Sequence, residues 1–454
     1  MAATRSYPPR VRRARAAVLS LGLVGALLAS QPTHASADSS VFSRGEVLVH
    51  YRGDPGERSV DVPTGQSVRA ALSDLRSDRA VGYAHPDYLV HAAAFTPNDP
   101  GSPGPGNWSR DQWNFLSQRQ VPGGIAVVPA WQRLISSGHP GGRGVTVAVL
   151  DTGVAYRAKG HRYRRDPDLP GSARFVHPRD FVGDDNIPLD PDGHGTHVAS
   201  TIVQSTDNGR GLTGIAYGVD VMPIRVLNQH ERGKGSKVAR GIRFATTHGA
   251  DVINLSLDFK PDVRHCDQII SVCQAIQHAI QQGVTVVAAV GNKGTSRVLY
   301  PAAAKGVIAV GASTYRGCAA AYSNYGPRLD VLAPGGGQDK GVGVTGDPAC
   351  QPQLPGYEIR QYGLLPAAAD HGNYRRFGIV GMEGTSMASA HVAGVAALVL
   401  GSRVCGPYPD PTRIARRLRD TAVERGIPGN DAVYGAGLLD AAQATNPAIG
   451  CRAG

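Results

Sequence analysis

The sequence predicts an α/β protein with a mainly parallel central sheet, preceded by a small α+β domain. Five apolar runs are interpreted as buried strands, at Val145–Leu150, Val219–Leu227, Asp251–Leu257, Val284–Val290 and Val307–Val310. Helical patterns accompany them, at Thr196–Gln204, Ser236–Thr247, Gln268–Gln282, Met387–Leu400 and Pro411–Val423. Apolar strands that alternate with helices indicate a parallel sheet covered on both faces. The working residues of such sheets lie at the carboxyl ends of strands, where Asp151 is found.

Residues 1–37 are interpreted as a secretory signal peptide. Five arginines lie within the first fifteen residues, and Ala16–Ala29 is an apolar run of fourteen. A helix of that length is too short to span a bilayer. Ala35-Ser36-Ala37 offers the small residues of a cleavage site, so we expect cleavage after Ala37. An uncleaved signal anchor is the alternative.

The small domain after the signal is predicted from a strand–helix–strand pattern. Glu46–Tyr51 alternates like a strand, Ser67–Leu75 has helical spacing, and Ala80–His91 returns to strand character. The following stretch, Thr96–Gly106, is dense in proline and glycine and is interpreted as a linker. A detachable N-terminal domain is therefore expected.

The charge balance excludes one class of partner. The 454-residue chain has a formal net charge of +11, and five of the positive charges belong to the predicted signal peptide. The remaining excess of positive charge is interpreted as spread along the chain, without a basic block. This distribution does not predict nucleic-acid recognition. No segment after the signal peptide predicts a membrane span.

The cysteine count fits export into an oxidising compartment. The six cysteines are Cys266, Cys273, Cys318, Cys350, Cys405 and Cys451. An even number in a secreted chain predicts three disulfides, with fifteen possible pairings, of which sequential pairing is our expectation. A bridge from Cys266 to Cys273 requires Cys266 to precede the helix, because two such residues within one helix would lie roughly 10 Å apart.

Two local patterns carry an acid and histidines. Val149-Leu150-Asp151-Thr152-Gly153 places a carboxylate where a buried strand ends, and Asp192-Gly193-His194-Gly195-Thr196-His197-Val198 opens a helix after a turn. A strand-end turn is the simpler interpretation of Asp151. His194 and His197 are spaced to share a helix face as metal ligands, but the acid of an H-E-x-x-H motif is missing.

The third pattern is Glu383–Gly394, in which Ser386 lies among very small residues before an apolar helix. A serine at this position is commonly a helix N-cap. Together with Asp151 and His194, however, it completes what a hydroxyl nucleophile needs. Imidazole takes the serine proton near neutral pH, and a buried carboxylate fixes the imidazole tautomer and stabilises the imidazolium. Small neighbours then leave room for a substrate carbonyl.

The order Asp–His–Ser, without a G-x-S-x-G elbow, excludes the α/β-hydrolase arrangement. The motifs V-L-D-T-G, D-G-H-G-T-H-V-A and G-T-S-M-A-S-A-H-V-A-G resemble the three active-site signatures of the subtilisin-like serine peptidases. The resemblance runs from about Trp131 to Leu439. It implies a three-layer subtilisin-like fold over 131–454, preceded by an N-terminal segment at 96–130. It also implies a serine endopeptidase that acts on proteins through an acyl-enzyme and needs no cofactor for its chemistry.

The resemblance also implies roles for a further group of residues. Ala288-Ala289-Val290-Gly291-Asn292 resembles the family segment whose asparagine donates to the oxyanion, so Asn292 takes that role and Gly291 lies beside the substrate. Leu255-Ser256-Leu257 resembles the edge strand that pairs with the substrate backbone, which assigns Ser256 and Leu257 to substrate binding. Asp258 stands where a glycine is common and is interpreted as favouring a basic substrate side chain, with a solvent-facing orientation as the alternative.

The N-terminal domain, residues 38–95, resembles the family's inhibitory propeptide. It would occupy the cleft as an intramolecular inhibitor until cut near Ala92–Phe95. The mature enzyme is expected to be a secreted monomer.

Structural calcium is a further expectation from the resemblance. Asp168 and Asn208 lie where the family has calcium ligands, and hard oxygen donors suit Ca²⁺. The acid-rich stretch Phe181–Asp192 resembles a second calcium loop, although Ile187 and Leu189 replace polar positions there. A solvated acidic loop is the alternative for both.

Two other function classes remain open from the sequence. A binding or adhesion protein on the same scaffold would be expected to have lost a triad residue, and a metal-dependent hydrolase would use His194 and His197. Three departures from the family pattern are Ala390 in place of proline, Glu383 in place of asparagine, and the long connection 337–376, whose role the sequence does not give.

Overall fold

The structure is a computed structural model that describes residues 42–88, 95–102, 108–366, 369 and 372–452. The predicted signal peptide and the expected maturation site therefore lie outside the described residues or at their border. The chain divides into two compact units, 1–93 and 94–454. The functions assigned to these segments stay predictions.

The first unit is a three-stranded antiparallel sheet with one helix. Its elements are β1 (Phe42–Tyr51), β2 (Arg58–Asp61), α1 (Val68–Ser77) and β3 (Val81–Tyr88). The strands are ordered β2-β1-β3. The hydroxyl of Ser67 accepts a hydrogen bond from the amide of Ala70 and so caps the helix. Valines of the sheet and Leu72 of α1 form the small core between them.

The second unit contains the larger sheet and its helices. The strands are β4 (Thr146–Asp151), β5 (Arg179–Asp180), β6 (Asp220–Arg225), β7 (Val252–Leu255), β8 (Thr285–Ala289), β9 (Ile308–Ser313), β10 (Val331–Pro334), β11 (Ile359–Leu364) and β12 (Phe377–Met382). The α-helices are α2 (Trp108–Asp111), α3 (Val127–Ser136), α4 (His194–Val203), α5 (Gly235–Thr247), α6 (Ile270–Gln281), α7 (Val342–Thr345), α8 (Thr385–Ser402), α9 (Pro411–Asp420) and α10 (Ala441–Ala444). Short 3₁₀ turns lie at Trp113–Phe115, Pro140–Gly142, Ser172–Arg174 and Cys266–Ile269.

The central sheet has seven parallel strands in the order β10-β9-β8-β7-β4-β6-β5. The predicted α/β fold class with a mainly parallel sheet is therefore confirmed. All five predicted strands are present with shifted ends. The sequence did not reveal β5, which has two residues, or β10, which ends at a proline. Leu255–Leu257 is not an edge strand: β7 lies between β4 and β8, and the chain leaves the sheet at Ser256.

Side chains alternate between the two faces of this sheet. Val147 and Val149 of β4 pack towards α3, α4 and α8, whereas Ala148 and Leu150 pack towards α5 and α6. This alternation follows from the two-residue period of a strand. The sheet is therefore the middle of three layers, and both of its faces are covered by helices and buried from solvent.

Helix α8 crosses the sheet and packs against β7, β8, β9 and β10. Among the described helices it alone is long and apolar enough to cross a membrane, but it is buried inside the protein. Its small residues permit this close packing. A Cβ added to Gly401 would lie 2.7 Å from the Cα of Gly142, and one added to Gly394 would lie 3.0 Å from Ile215. The helix, and the serine near its start, are thus held by the core.

The six cysteines form the sequential disulfides Cys266–Cys273, Cys318–Cys350 and Cys405–Cys451. Cys266 lies in a 3₁₀ turn before α6, so its Cα is 5.8 Å from that of Cys273. The expected condition for this bridge is met because the helix begins at Ile270, two residues later than predicted. Three disulfides fit an extracellular protein.

Candidate active site

The candidate site is built at the carboxyl ends of three adjacent strands. β4 ends at Asp151, β7 leads into Ser256, and β8 leads into Gly291 and Asn292. Because neighbouring parallel strands end at the same edge of a sheet, residues 151, 256 and 292 are brought together from distant parts of the sequence. Helix α4 contributes His194 from its first position and α8 contributes Ser386 from its second.

Asp151 and His194 form a buried, directed pair. The Nδ1–H of His194 donates to Oδ1 of Asp151 at 2.7 Å. The same carboxylate oxygen accepts the amide of Thr152 at 2.7 Å, and the Asp151 side chain is almost fully buried. A hydrogen bond from Nδ1 leaves Nε2 as the nitrogen that is free to accept a proton.

The surroundings of His194 favour its charged form. Burial of the imidazole lowers its pKa, but the Asp151 carboxylate outweighs that effect, with smaller contributions from Glu231 and Asp192. The net result raises the pKa of His194 from 6.5 to about 9. An imidazolium beside a fixed carboxylate is the charge pair that a proton-accepting histidine creates during acyl transfer.

A second buried carboxylate, Asp190, holds the turn that carries His194. Its Oδ1 accepts from the Thr152 hydroxyl at 2.9 Å and from the amide of Gly193 at 2.9 Å. Its Oδ2 accepts from both the amide and the hydroxyl of Thr196, at 2.8 and 2.6 Å. The sequence placed Asp190 only within an acid-rich loop. Its signal is an aspartate just ahead of a helix start, where side-chain capping is common.

Ser386 lines the same cleft as His194, Asn292 and Asp258. In the structure its hydroxyl donates to the carbonyl of Ser256 at 3.3 Å. Among the described residues no hydrogen bond joins Ser386 to His194. Catalytic hydrogen bonds are often long or misaligned without substrate, and a rotation about one side-chain bond redirects a serine hydroxyl.

Two other hydroxyls fix the backbone of the nucleophile. Ser256 Oγ and Ser389 Oγ each lie 2.9 Å from the carbonyl oxygen of Ser386 and 2.9 Å from one another. Ser256 is only 3% exposed. Its side chain therefore positions the turn of Ser386, and only its backbone is placed to meet a substrate.

Asn292 is oriented by Thr385, the residue before the nucleophile. Its Oδ1 accepts from the Thr385 amide at 2.9 Å and from the Thr385 hydroxyl at 2.8 Å. With the oxygen so occupied, the Nδ2 donor is turned away from Thr385. The amide of Ser386 lies in the first turn of α8, where N–H groups have no acceptor within the helix. Asn292 and the start of α8 are thus held together at the cleft that Ser386 lines.

The loop after β8 requires a glycine at position 291. Gly291 has φ of +102°, and a Cβ added there would lie 2.6 Å from Asn324 Nδ2 and 2.8 Å from Leu299 Cδ1. Asn324 is fully buried, and its Oδ1 accepts from the amides of Lys293 and Thr295. Asn324 thus shapes the loop after β8 from a distant sequence position, and no local signal predicts it.

The remaining cleft residues come from two walls. Leu257 and Asp258 follow β7 on one wall, and Leu227 and Glu231 follow β6 on the other. Asp258 is exposed, yet partial burial of its carboxylate raises its pKa, with Lys293 acting in the opposite direction. Neither Asp258 nor Glu231 forms an ion pair with a described residue. Glu231 was not predicted from the sequence.

His197 is separated from this site. It lies one helical turn after His194 but is fully buried, with its Nε2 at 3.0 Å from the carbonyl of Ile359. Burial lowers the pKa of His197 to about 4. The ring therefore stays neutral and packs against β11, so the two histidines do not share a ligand position.

The residues predicted to bind calcium do meet. Asp168 is fully buried, its Oδ1 accepts from Asn208 Nδ2 at 2.9 Å, and its Oδ2 accepts from the Leu212 amide at 3.0 Å. Burial, with a smaller contribution from nearby Asp99, which is also fully buried, raises the pKa of Asp168 to about 7. Neither carboxylate forms an ion pair with a described residue. An uncompensated buried acid pair fits a bound cation.

The second predicted calcium loop does not fit a cation. Asp184 pairs with Arg179 at 2.5 Å, Asp185 with Lys159 at 3.5 Å, and Asp190 holds the turn before α4. These acids already have partners. The one cluster of three potential metal ligands among the described residues, Cys318, Asp347 and Cys350, has both sulfurs in a disulfide.

The long connection 337–376 has a structural position that the sequence did not give. It contains α7, Cys350, which is bonded to Cys318 outside the connection, and strand β11, which pairs with β12 in an antiparallel hairpin. The hairpin packs on α4, and Ile359 of β11 accepts the hydrogen bond from His197. It therefore joins the helix of His194 to the segment that leads into Ser386.

With this geometry established, sequence comparison identifies similar proteins. A model of the subtilase family matches residues 142–437. The chain is 34% identical over 334 residues to a thermophilic serine proteinase of Bacillus sp. (strain AK1), which covers 73% of this chain and 66% of that protein. It is 34% identical over 304 residues to subtilisin BL of Lederbergia lenta, which covers 67% of this chain and 91% of that protein. The chain thus spans just under two thirds of the first relative's length.

A solved structure gives the same similarity in three dimensions. A protease from Pseudoalteromonas arctica aligns with a TM-score of 0.60 and 30% identity, over 77% of this chain and 99% of that chain. The alignment includes nearly all of that protein, so the likeness extends beyond the sheet.

Proposed function

Because the chain belongs to the subtilase family, we propose that it is a secreted serine endopeptidase that is made as a zymogen and hydrolyses proteins. The observation that carries the proposal is the buried hydrogen bond of 2.7 Å from His194 Nδ1 to Asp151, at a cleft that Ser386 also lines. A structural role alone does not require a mostly buried imidazole to be paired with a carboxylate beside a serine that lines the cleft.

In the proposed mechanism Ser386 attacks the peptide carbonyl after its hydroxyl rotates from the carbonyl of Ser256. His194 takes the serine proton at Nε2 and later gives it to the leaving amine, and Asp151 holds the imidazole and stabilises its charged form. The resulting ester to Ser386 is hydrolysed by water, with His194 again accepting a proton. Burial of the pair strengthens each of these electrostatic interactions.

The oxyanion of the tetrahedral intermediate is assigned to Asn292 Nδ2 and the Ser386 amide. Removing one donor of this kind typically costs about 10²–10³ in turnover. The backbone of Ser256 and Leu257, together with Gly291, is assigned to the substrate main chain. The unpaired carboxylate of Asp258 beside Gly291 is assigned to recognition of a basic substrate side chain.

The zymogen proposal concerns residues 1–95. The described part of the first unit is a compact α+β fold with its own core, as expected for an inhibitory propeptide. We assign residues 1–37 to a signal peptide and residues 38–95 to the propeptide. Protein substrates follow from the family, and the mature form is assigned as a monomer.

Labelling with a fluorophosphonate tests the activity against the non-catalytic alternative. Such a reagent forms a stable ester only with a serine that is activated as a nucleophile. We expect one adduct, located on Ser386 by peptide mass mapping, together with loss of casein hydrolysis. A folded protein that neither reacts nor cleaves casein would be a binding protein. If a chelator abolished casein hydrolysis and the fluorophosphonate left it unchanged, the result would support metal-dependent hydrolysis.

Calcium is proposed as a structural ion held by Asp168 and Asn208. Bound calcium would supply positive charge to the buried carboxylates and no chemistry to the reaction. We expect EDTA to lower the melting temperature of the phosphonate-blocked enzyme by about 2–5 °C, because a ligand of the native state stabilises it by mass action. Asp168→Asn should remove this dependence on calcium, whereas Asp262→Asn, at an exposed position, should keep it. Equal melting temperatures with calcium and with EDTA would reject the site.

A further inference from the structure

Positive charge beyond the N-terminus is not evenly spread, contrary to the expectation from the sequence. Two loops of the second unit carry a basic surface, here called the basic platform. Its seven residues are Arg157, Lys159, Arg162, Arg164, Arg165, Arg375 and Arg376. The first loop reads R-A-K-G-H-R-Y-R-R and the second contributes N-Y-R-R, so the concentration appears only when the loops are seen together.

The two loops are joined by direct contacts. The Arg164 amide donates to the Tyr374 carbonyl at 2.9 Å, and Arg375 Nη1 donates to the His161 carbonyl at 3.0 Å. The rings of Tyr163 and Tyr374 stack with centroids 4.6 Å apart. The platform is thus a defined surface in which the two loops that carry the basic residues are held side by side, although the Arg165 guanidinium donates to the carbonyls of Leu169 and Pro170.

Most of this charge is not neutralised. Of the seven residues, only Lys159 forms an ion pair with a described carboxylate, at 3.5 Å from Asp185. Arginines elsewhere in the unit do find carboxylates, as in Arg174–Asp220, Arg225–Asp180 and Arg419–Asp330. Like charges placed together repel, so a cluster of unpaired arginines attracts anions.

The platform adjoins the catalytic residues. The first loop begins six residues after Asp151, and the second ends ten residues before Ser386. The start of the second loop, at Leu364, packs closely against Gly193, the residue before His194. A Cβ added to Gly193 would lie 3.5 Å from the Leu364 carbonyl oxygen. The Leu365 amide in turn donates to the Arg376 carbonyl at 3.0 Å, so the second loop connects the platform to the turn that carries His194.

We propose that the basic platform is an exosite that binds an acidic stretch of the protein substrate outside the scissile segment. This inference rests on the proposed peptidase function. Carboxylates of the substrate would pair with the unpaired guanidinium groups, whose planar donors suit carboxylate oxygens. Such steering raises the encounter rate with acidic substrates and weakens as salt is added.

A single-stranded nucleic acid is the competing anionic ligand, and the tyrosines argue against it. Proteins that bind single strands present aromatic faces on which bases stack. Here Tyr163 and Tyr374 stack on one another and are half buried, so these faces are already used. The continuity with a peptidase cleft favours a peptide.

The test uses quenched fluorogenic peptides that share one scissile core. They carry a flanking tail of six glutamates or six serines, placed on either side of the core. The variant Arg162→Gln, Arg164→Gln, Arg376→Gln removes three exposed charges that have no described carboxylate partner. The control Arg119→Gln, Arg264→Gln, Lys305→Gln removes the same charge from exposed positions elsewhere.

We expect a glutamate tail on one side to raise kcat/KM about tenfold over the serine tail at low salt, mainly through KM. The gain should disappear in about 1 M salt, where charges are screened within about 3 Å. The platform variant should lose the gain and the control should keep it. Cleavage of the serine-tailed peptide, unchanged in all forms, reports the peptidase activity separately.

If the wild type cleaved the glutamate-tailed and serine-tailed peptides equally well, the exosite proposal would be overturned. A gain from the glutamate tail that is as large in the platform variant as in the wild type would also overturn it. Binding of a 20-nucleotide single strand that is lost in the platform variant, with no effect of the acidic tails, would assign the surface to nucleic acid instead. Failure to cleave any peptide would contradict the proposed function and not the exosite alone.

Discussion

Replacing Ser386 with alanine is expected to lower kcat on a peptide substrate by about 10⁶-fold, the size of loss known for subtilisin, a relative of this chain. Neither of the two hydroxyls described next to Ser386 is placed to take over the attack. Ser389 and Ser256 are both buried, and their hydroxyls are directed at the Ser386 carbonyl. Without a nucleophile, His194 and Asp151 have no proton to move. The measurement is single-turnover and steady-state hydrolysis of a fluorogenic peptide.

Ser402→Ala supplies the matched control for this substitution. It makes the same change near the other end of α8, where the Ser402 hydroxyl bonds only the carbonyl of Val399 and the amide of Val404. The control should retain wild-type turnover. Under the proposed zymogen, the Ser386→Ala protein should also keep residues 38–95 attached, since the cut near Ala92–Phe95 would require the peptidase activity. A turnover within tenfold of wild type would mean that another group performs the attack.

The fold class could be predicted from the sequence, and the three side chains of the proposed triad could be singled out there, because each has a local signature. Buried parallel strands are continuous apolar runs, and the triad motifs are dense in glycine and small residues where backbone must approach closely. The helices that correspond to α4, α5, α6, α8 and α9 were also predicted, since their apolar spacing is regular, whereas α3 (Val127–Ser136) was not. Two strands of the central sheet were not predicted: β5, which has only two residues, and β10, which ends at a proline.

The supporting residues could not be predicted, since their signals are not local. Asp190 is one of several acids in its loop, and only the folded turn shows that it holds Thr152, Gly193 and Thr196. Asn324 shapes the loop after β8 by hydrogen bonds to Lys293 and Val290, which are more than thirty residues away in the sequence. Family similarity predicted substrate binding for Ser256, but burial shows that its hydroxyl supports Ser386. The basic platform was missed because two separated loops supply its charge.

Asp151→Asn is expected to lower kcat by about 10⁴-fold while leaving the fold intact. The carboxylate accepts from His194 Nδ1–H at 2.7 Å, and an amide in its place can offer Nδ2–H to the same nitrogen. The imidazole would then carry its proton on Nε2, where it cannot take the proton of Ser386. The charge that stabilises the imidazolium is lost as well. Kinetics of the purified mature form measure this effect, with Asp262→Asn as an exposed control that should match wild type.

The pH profile separates this role from a structural one. The working base is neutral imidazole, and the pKa of His194 is raised to about 9, so kcat/KM of the wild type should rise with pH and level off only above about pH 9. Burial lowers that pKa and Asp151 is the main group that raises it. In Asp151→Asn the burial effect dominates, and the acidic limb of the residual activity should move to lower pH. A residual profile with an unshifted limb would show that Asp151 does not set the proton affinity of His194, and that another interaction keeps this imidazole charged.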